Sequence, residues 1–222
     1  MINLVTQGFV VVPNFLSDDE LLIIKEHYNK THQSFLKDPS IKTDYNLLRV
    51  DYDTSLDFLL EKINNCIKII SNTTDINANT LDDKMAYIDN KIFGTSGWHQ
   101  DHGPYYRWED LYNALNFWIP IIKPDKTNNG LSVVPYDVLS DDFKTKFKGK
   151  GAKRFKIMHQ TTQVFDDTDN STFMMPTNIN NISISPELSE KDLIILRGDV
   201  IHKSQNLVNR RVALSIRAFH KG

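Results

Sequence analysis

The chain has 222 residues, 40% hydrophobic and 24% charged, with a formal net charge of −2 from 26 basic and 28 acidic side chains. That balance describes one soluble globular domain long enough to bury a full core. No basic stripe and no apolar run of about 20 residues is present, which argues against nucleic acid and against a membrane as partner. A single cysteine, Cys66, rules out an internal disulfide and points to a reducing cytoplasmic setting. Residues 1–12 lack the charged start and long apolar stretch of a secretory leader. A small-molecule partner is expected, for a monomer or weak dimer.

In chain order, Gly8–Val12 is a β-branched run closed by Pro13, which predicts a strand. Ser17-Asp-Asp-Glu20 is a capping box, opening a helix that runs to about Leu36 with Leu21, Ile24 and Tyr28 on one face. Leu47–Tyr52 reads as a strand. Leu56–Ile70 reads as a second amphipathic helix, apolar at Phe58, Leu59, Ile63, Cys66 and Ile70. From Lys84 the pattern changes to short strands punctuated by Gly, Pro and Asn: Ala86–Phe93, Leu115–Ile122, Leu131–Pro135, Lys153–Met158, Leu193–Leu196 and Arg211–Phe219. Asp141–Phe147 suggests a short surface helix, and the asparagine-rich Asn128–Asn129 and Asn178–Ile182 suggest loops. The expected fold is α+β: a single domain over residues 1–222, with a helical part at about 1–83 packed on a double-stranded β-helix at about 84–222, a cupin-like jelly-roll.

Within that core, Trp98-His99-Gln100-Asp101 holds a His-x-Asp pattern. On an extended strand, residues i and i+2 share a face, so His99 and Asp101 converge and Gln100 turns away. His202 follows the tight turn Arg197-Gly198-Asp199. Two imidazoles and one carboxylate make the facial triad of non-haem iron(II) oxygenases, and three open positions suit a bidentate 2-oxo acid plus dioxygen. Arg211, nine residues past His202, places a guanidinium where it can pair in a bidentate way with the distal carboxylate of 2-oxoglutarate, and Ser204 can add a hydroxyl. Arg211, Ala213, Ser215 and Arg217 share one strand face. Arg210 falls on the other and reads as a solvated residue.

The run Trp98-His-Gln-Asp101 resembles the Trp-His-Gln-Asp motif of phytanoyl-CoA dioxygenase-like enzymes, the iron(II)- and 2-oxoglutarate-dependent oxygenases. Asn116-Phe-Trp118-Ile-Pro-Ile, then Asn129-Gly130-Leu-Ser-Val-Val-Pro135, is similar to the family's tryptophan-bearing strand, Asn-Gly turn and Val-x-Pro strand. Gly8-Phe-Val-Val-Val-Pro-Asn-Phe-Leu-Ser17 is similar to its opening. The matches run from residue 8 to residue 219. The resemblance implies Fe(II) held by His99, Asp101 and His202, with 2-oxoglutarate and O2 as co-substrates. It implies 2-oxoglutarate contacts at Tyr87, Trp118, Ser204 and Arg211, and Arg49 is a further candidate. The implied activity is hydroxylation with release of succinate and CO2, or desaturation or cyclisation by the same machinery. Related halogenases replace the carboxylate ligand, and Asp101 argues against that outcome. Where the family reads Pro-Gly-Ser-His, this chain has Pro135-Tyr136-Asp137-Val138. Candidate substrate-lining residues are Lys91, His102, Tyr105, Tyr106, Arg107, Asn116 and Arg217, whose polarity suggests a small polar metabolite. The rival readings are a non-catalytic cupin-like metal-binding protein, which has no use for an oxo-acid anchor, and a zinc hydrolase, which needs a base beside the metal-bound water.

Overall fold

The computed structural model of the protein describes residues 2–38, 43–44, 47–101, 112–128, 130–139, 155–157, 163–166, 171–174, 178–205 and 209–221. A short helix α1 (Ile2–Thr6) leads through Gly8 into strand β1 (Phe9–Val12). Gly8 sits at φ 81°, and a Cβ there would lie 2.3 Å from Val200 Cγ2, so a larger residue does not fit. Helix α2 (Asp18–Lys37) starts on the expected capping box. The Ser17 hydroxyl accepts from the Glu20 N–H at 3.2 Å, and the Glu20 carboxylate accepts from the Ser17 N–H at 2.7 Å. Strands β2 (Thr43–Asp44) and β3 (Leu47–Asp51) precede α3 (Asp57–Thr73), which buries Leu59, Ile63, Ile67 and Ile70 along one stripe.

The remaining elements are β4 (Thr80–Leu81), β5 (Lys84–Asp89), α4 (Asn90–Phe93), β6 (Leu115–Ile122) and β7 (Leu131–Val133). After them come β8 (Phe155–Ile157), β9 (Gln163–Asp166), β10 (Ser171–Met174), α5 (Ile179–Ile182), β11 (Leu193–Arg197), β12 (His202–Ser204) and β13 (Val212–Phe219). The main sheet runs β1-β11-β6-β13-β5-β3-β2, with β4 also on β13. Strands β12 and β7 form a smaller sheet, widened by the bridges His99↔His202 and Val133↔Ile184. Strands β10, β9 and β8 make a third. This antiparallel jelly-roll with helices on one face is the expected α+β fold.

Strand alternation splits the core in two. On β13, Val212, Leu214, Ile216 and Ala218 pack with the buried stripes of α2 and α3. Ala213 instead joins Trp118, Leu131, Val133, Ile194 and Leu196 on the other face of the sheet, and Ser215 and Arg217 share that face by alternation. Each fully buried aliphatic side chain contributes about 1.5–3 kcal/mol, so both layers hold the sheet rigid. Strand β6 is buried on both faces, which is why it reads as an almost continuous apolar run. Its Pro120 is accommodated where the β6–β13 register shifts, between Val212 and Ala213.

Several expectations change. The strand predicted as Ala86–Phe93 stops at Asp89, whose carboxylate accepts from the Lys91 N–H at 2.9 Å and starts α4. Asn178–Ile182 contains a helical turn rather than only loop, because the Asn178 side chain caps Asn180 N–H at 3.0 Å. The division near residue 83 is not a structural boundary, since β1 pairs with β11 and β3 with β5. The expected helix Asp141–Phe147 lies outside the described residues. No described helix is long and apolar enough to cross a membrane.

Candidate metal centre

His99 and His202 exchange both backbone hydrogen bonds, each N–H donating to the other's carbonyl at 2.9 Å. Residues paired this way project their side chains to the same side, and the two rings stand 4.3 Å apart between centroids. Asp101, two residues beyond His99, reaches the same spot: its Oδ1 is 3.8 Å from Nε2 of each histidine. The three offer ligand atoms within 4.8 Å of one another. Neighbouring ligands on an ion at about 2.1 Å stand roughly 3 Å apart, so each carboxylate–imidazole separation is within about 1 Å of that spacing. Gln100 turns away, donating from Nε2 to the Asp199 carbonyl at 2.6 Å.

Backbone carbonyls fix the tautomers. His99 Nδ1 lies 2.7 Å from the Gly97 oxygen, and His202 Nδ1 lies 2.9 Å from the Val200 oxygen. A carbonyl only accepts, so both ring protons sit on Nδ1 and both Nε2 lone pairs face the cluster. Burial, with the neighbouring His202, holds the His99 imidazole down to about 4, neutral and able to ligate. Burial works against ionisation of Asp101, but Arg217, His202, His99 and an Asn116 hydrogen bond outweigh it and keep the carboxyl at about 2. A carboxylate and two imidazoles, each oriented by a backbone carbonyl at Nδ1, are the donor set that iron(II) takes, and the fit is good.

A second cluster holds the turn before His202. Arg197 donates to Asp199 through Nε at 2.9 Å and Nη2 at 3.0 Å, both residues buried, and its guanidinium lies 4.6 Å from the ring centres of Tyr112 and Tyr136. It also donates to the Val5 carbonyl at 2.9 Å, and the Tyr136 hydroxyl donates to the Asp199 carbonyl at 2.8 Å. Together with Gln100, this fixes the Asp199 backbone between the two ligand-bearing segments. Only the turn was legible at Arg197-Gly198-Asp199; an Arg-x-Asp pair ending three residues before a candidate ligand is the signal that sequence reading passed over. Tyr136 shows what replaces the family's Pro-Gly-Ser-His at that point.

Arg211 is among the largest fully buried side chains, 1% exposed. Its Nη1 donates to the Gly130 carbonyl at 3.0 Å, its Nη2 lies 3.4 Å from Ser204 Oγ, and its guanidinium lies 5.4 Å from the Trp118 ring centre. Burial pulls it down to about 10, only partly offset by Asp89. Ser204 is two residues past His202 on β12, about 7 Å along the same face, a gap that a five-carbon diacid spans.

Other expected site residues fall elsewhere. Tyr87 faces the helices, with its hydroxyl 2.8 Å from His27 Nδ1, because β5 alternation turns it away from the metal face. Arg49 is on the metal face but opposite Ala86, and its guanidinium pairs with Asp82 at 3.0 Å, far along the sheet from Arg211. Arg210 is not a solvated residue: it donates to buried Asp89 at 2.7 Å and to the Tyr28 hydroxyl at 2.9 Å. Lys91 is exposed on α4, where the helical turn replaces the expected strand. Arg217 Nη2 lies 3.9 Å from Asp101 Oδ1, and Asn116 Nδ2 donates to Asp101 Oδ2 at 2.8 Å. His102, Tyr105, Tyr106 and Arg107 lie outside the described residues.

Comparison with known proteins identifies the family and the fold. The family model described as phytanoyl-CoA dioxygenase matches residues 4–206. No curated protein gives a significant sequence match. Among solved structures, AviO1 from Streptomyces viridochromogenes Tue57 superposes with a TM-score of 0.61 at 13% identity, covering 100% of this chain and 93% of its own. A Pseudomonas putida prolyl-4-hydroxylase gives 0.59 at 11% identity, covering 100% and 97%. EvdO2 from Micromonospora carbonacea var. aurantiaca, complexed with 2-oxoglutarate, gives 0.56 at 12% identity, covering 99% and 89%.

Proposed function

The chain belongs to the phytanoyl-CoA dioxygenase family, and from that premise we propose that this iron(II)- and 2-oxoglutarate-dependent dioxygenase hydroxylates a C–H bond of a small polar metabolite. Substrate, 2-oxoglutarate and dioxygen go in; hydroxylated product, succinate and carbon dioxide come out. His99, Asp101 and His202 would hold the iron, which supplies the oxidising chemistry that side chains lack.

The observation that carries the reading is Arg211. A guanidinium buried to 1%, beside a hydroxyl on the strand that bears His202, is held there against the desolvation that lowers its pKa. A dicarboxylate is the ligand that offsets such a cost, and a bare metal cup or a zinc hydrolase gives no reason for it. Arg211 and Ser204 grip the distal carboxylate, while the Trp118 face backs the guanidinium. Buried Ala213 and Trp118, with half-buried Ile88, exclude water from that end. At the far end, Arg217 and the Arg49–Asp82 pair make a charged wall, which favours a polar substrate over an acyl chain. The half-buried lone Cys66 supports a reducing cytosolic setting.

The test is a panel of small polar metabolites incubated with the iron(II)-reconstituted protein, 2-oxoglutarate and air, followed by mass spectrometry. A gain of one oxygen in one panel member, dependent on 2-oxoglutarate, is expected. Loss of two hydrogens instead would assign desaturation or cyclisation.

A further inference from the structure

Asn116 and Ser215 join the metal centre without offering it a ligand. Asn116 is on β6 and Ser215 on β13, both facing the metal side, 4% and 2% exposed. The Asn116 amide donates to Asp101 Oδ2 at 2.8 Å, and its own carbonyl oxygen accepts from the Ser215 hydroxyl at 2.8 Å. The other carboxylate oxygen, Oδ1, is the one that lies 3.8 Å from both histidine nitrogens. The carboxylate is thus divided: one oxygen turned to the two imidazoles, the other held by an amide whose orientation a second hydrogen bond fixes.

We infer that Asn116, oriented by Ser215, is a positioning residue that restricts Asp101 to one-oxygen ligation and so keeps a coordination position open for the co-substrates. An ion with six positions and three protein ligands leaves three, and a chelating 2-oxo acid with dioxygen needs all of them. A carboxylate beside a divalent cation, once its second oxygen loses its donor, turns that oxygen to the metal as well. One of the three positions then closes. This removes Asn116 from the substrate wall and gives it a role behind Asp101. Asn116 and Ser215 lie on adjacent central strands that pair at Trp118↔Ser215 and Asn116↔Arg217, so the arrangement is as rigid as the sheet.

The inference rests on the proposed iron and 2-oxoglutarate site, and its test reads binding rather than turnover. Metal-free wild type, Asn116→Ala and Ser215→Ala are titrated anaerobically with cobalt(II) alone, then with 2-oxoglutarate, by calorimetry and by the cobalt d–d absorption. Asn116→Ala should bind cobalt(II) as tightly as wild type or more tightly, with an altered d–d spectrum. It should then bind 2-oxoglutarate at least about tenfold more weakly, the size expected of a lost charge-assisted hydrogen bond. Ser215→Ala, which removes only one oxygen atom, should shift both quantities in the same directions by a smaller factor; it decides the matter alone if Asn116→Ala does not fold. Unchanged 2-oxoglutarate affinity overturns the inference, and so does a parallel loss of cobalt affinity, which marks mere scaffolding. Failure of cobalt-loaded wild type to bind 2-oxoglutarate overturns the proposed function along with it.

Discussion

Replacing Arg211 and Arg210 with alanine, one at a time, separates binding from stability. Arg211→Ala removes a buried guanidinium whose described partners include the neutral Gly130 carbonyl and Ser204 hydroxyl. Leaving the 2-oxoglutarate carboxylate unpaired costs about 2–5 kcal/mol. At about 1.4 kcal/mol per decade, the apparent Kd rises at least roughly tenfold. The co-substrate affinity should change far more than the Tm without co-substrate, because burial already disfavours that charge. Arg210→Ala does the reverse. Among the described residues, it leaves the Asp89 carboxylate, 1% exposed, with the Tyr28 hydroxyl and the Lys91 N–H as donors. Breaking a fully buried pair costs about 3–5 kcal/mol, and since the Arg210 side chain is 36% exposed, about 1–3 kcal/mol is the discounted figure. In a chain of this length that lowers Tm by about 2–12 °C. Thermal melts without co-substrate, and 2-oxoglutarate titrations of the metal-loaded variants, read the two effects. If Arg210→Ala loses co-substrate while keeping its Tm, the strand faces are assigned wrongly.

The same pair predicts a pH effect. Burial pushes the Asp89 carboxyl up, but hydrogen bonds from Arg210 and Tyr28 more than offset it and set it below its ordinary 3.8. A carboxyl whose folded value is depressed adds stability that is full above its unfolded value and disappears as pH falls through the folded one. Acid titration by circular dichroism should therefore show Arg210→Ala unfolding at a higher pH than wild type. Gly8→Ala should destabilise by about 2–4 kcal/mol, from a positive φ and a Cβ thrust against Val200, read as a fall in Tm. If Asp101 ligates the metal as proposed, products made in chloride buffer should contain no chlorinated species by mass spectrometry; a chlorinated main product would show that Asp101 is turned away.

Much of the site was readable because it depends on short-range alternation. Spacing i, i+2 placed His99 and Asp101 together, and the odd-numbered face of β13 was assigned correctly from Arg211 to Arg217. The partner of that pair, His202, is more than a hundred residues away, and the double hydrogen bond that sets its ring beside His99 has no local signature. Alternation failed where an element ended early: at Asp89, a side-chain cap converts the expected strand to helix and turns Lys91 outward. Tyr87 was misplaced by resemblance, since alternation along β5 puts its ring with Met85 on the helix face. The roles of Arg210, Arg49 and Asn116 come from partners distant in sequence (Asp89, Asp82 and Asp101), and single-residue reading carries no information about them.

Turnover of 2-oxoglutarate at an iron held by His99, Asp101 and His202 is what defines the proposed enzyme. The most direct measurement is succinate formation from 2-oxoglutarate in air without any prime substrate, comparing metal-free protein, protein with iron(II) and ascorbate, and iron-supplied His99→Ala and His202→Ala. Slow succinate release is expected only from wild type with iron(II), and full turnover by metal-free protein or by either histidine variant would contradict the account.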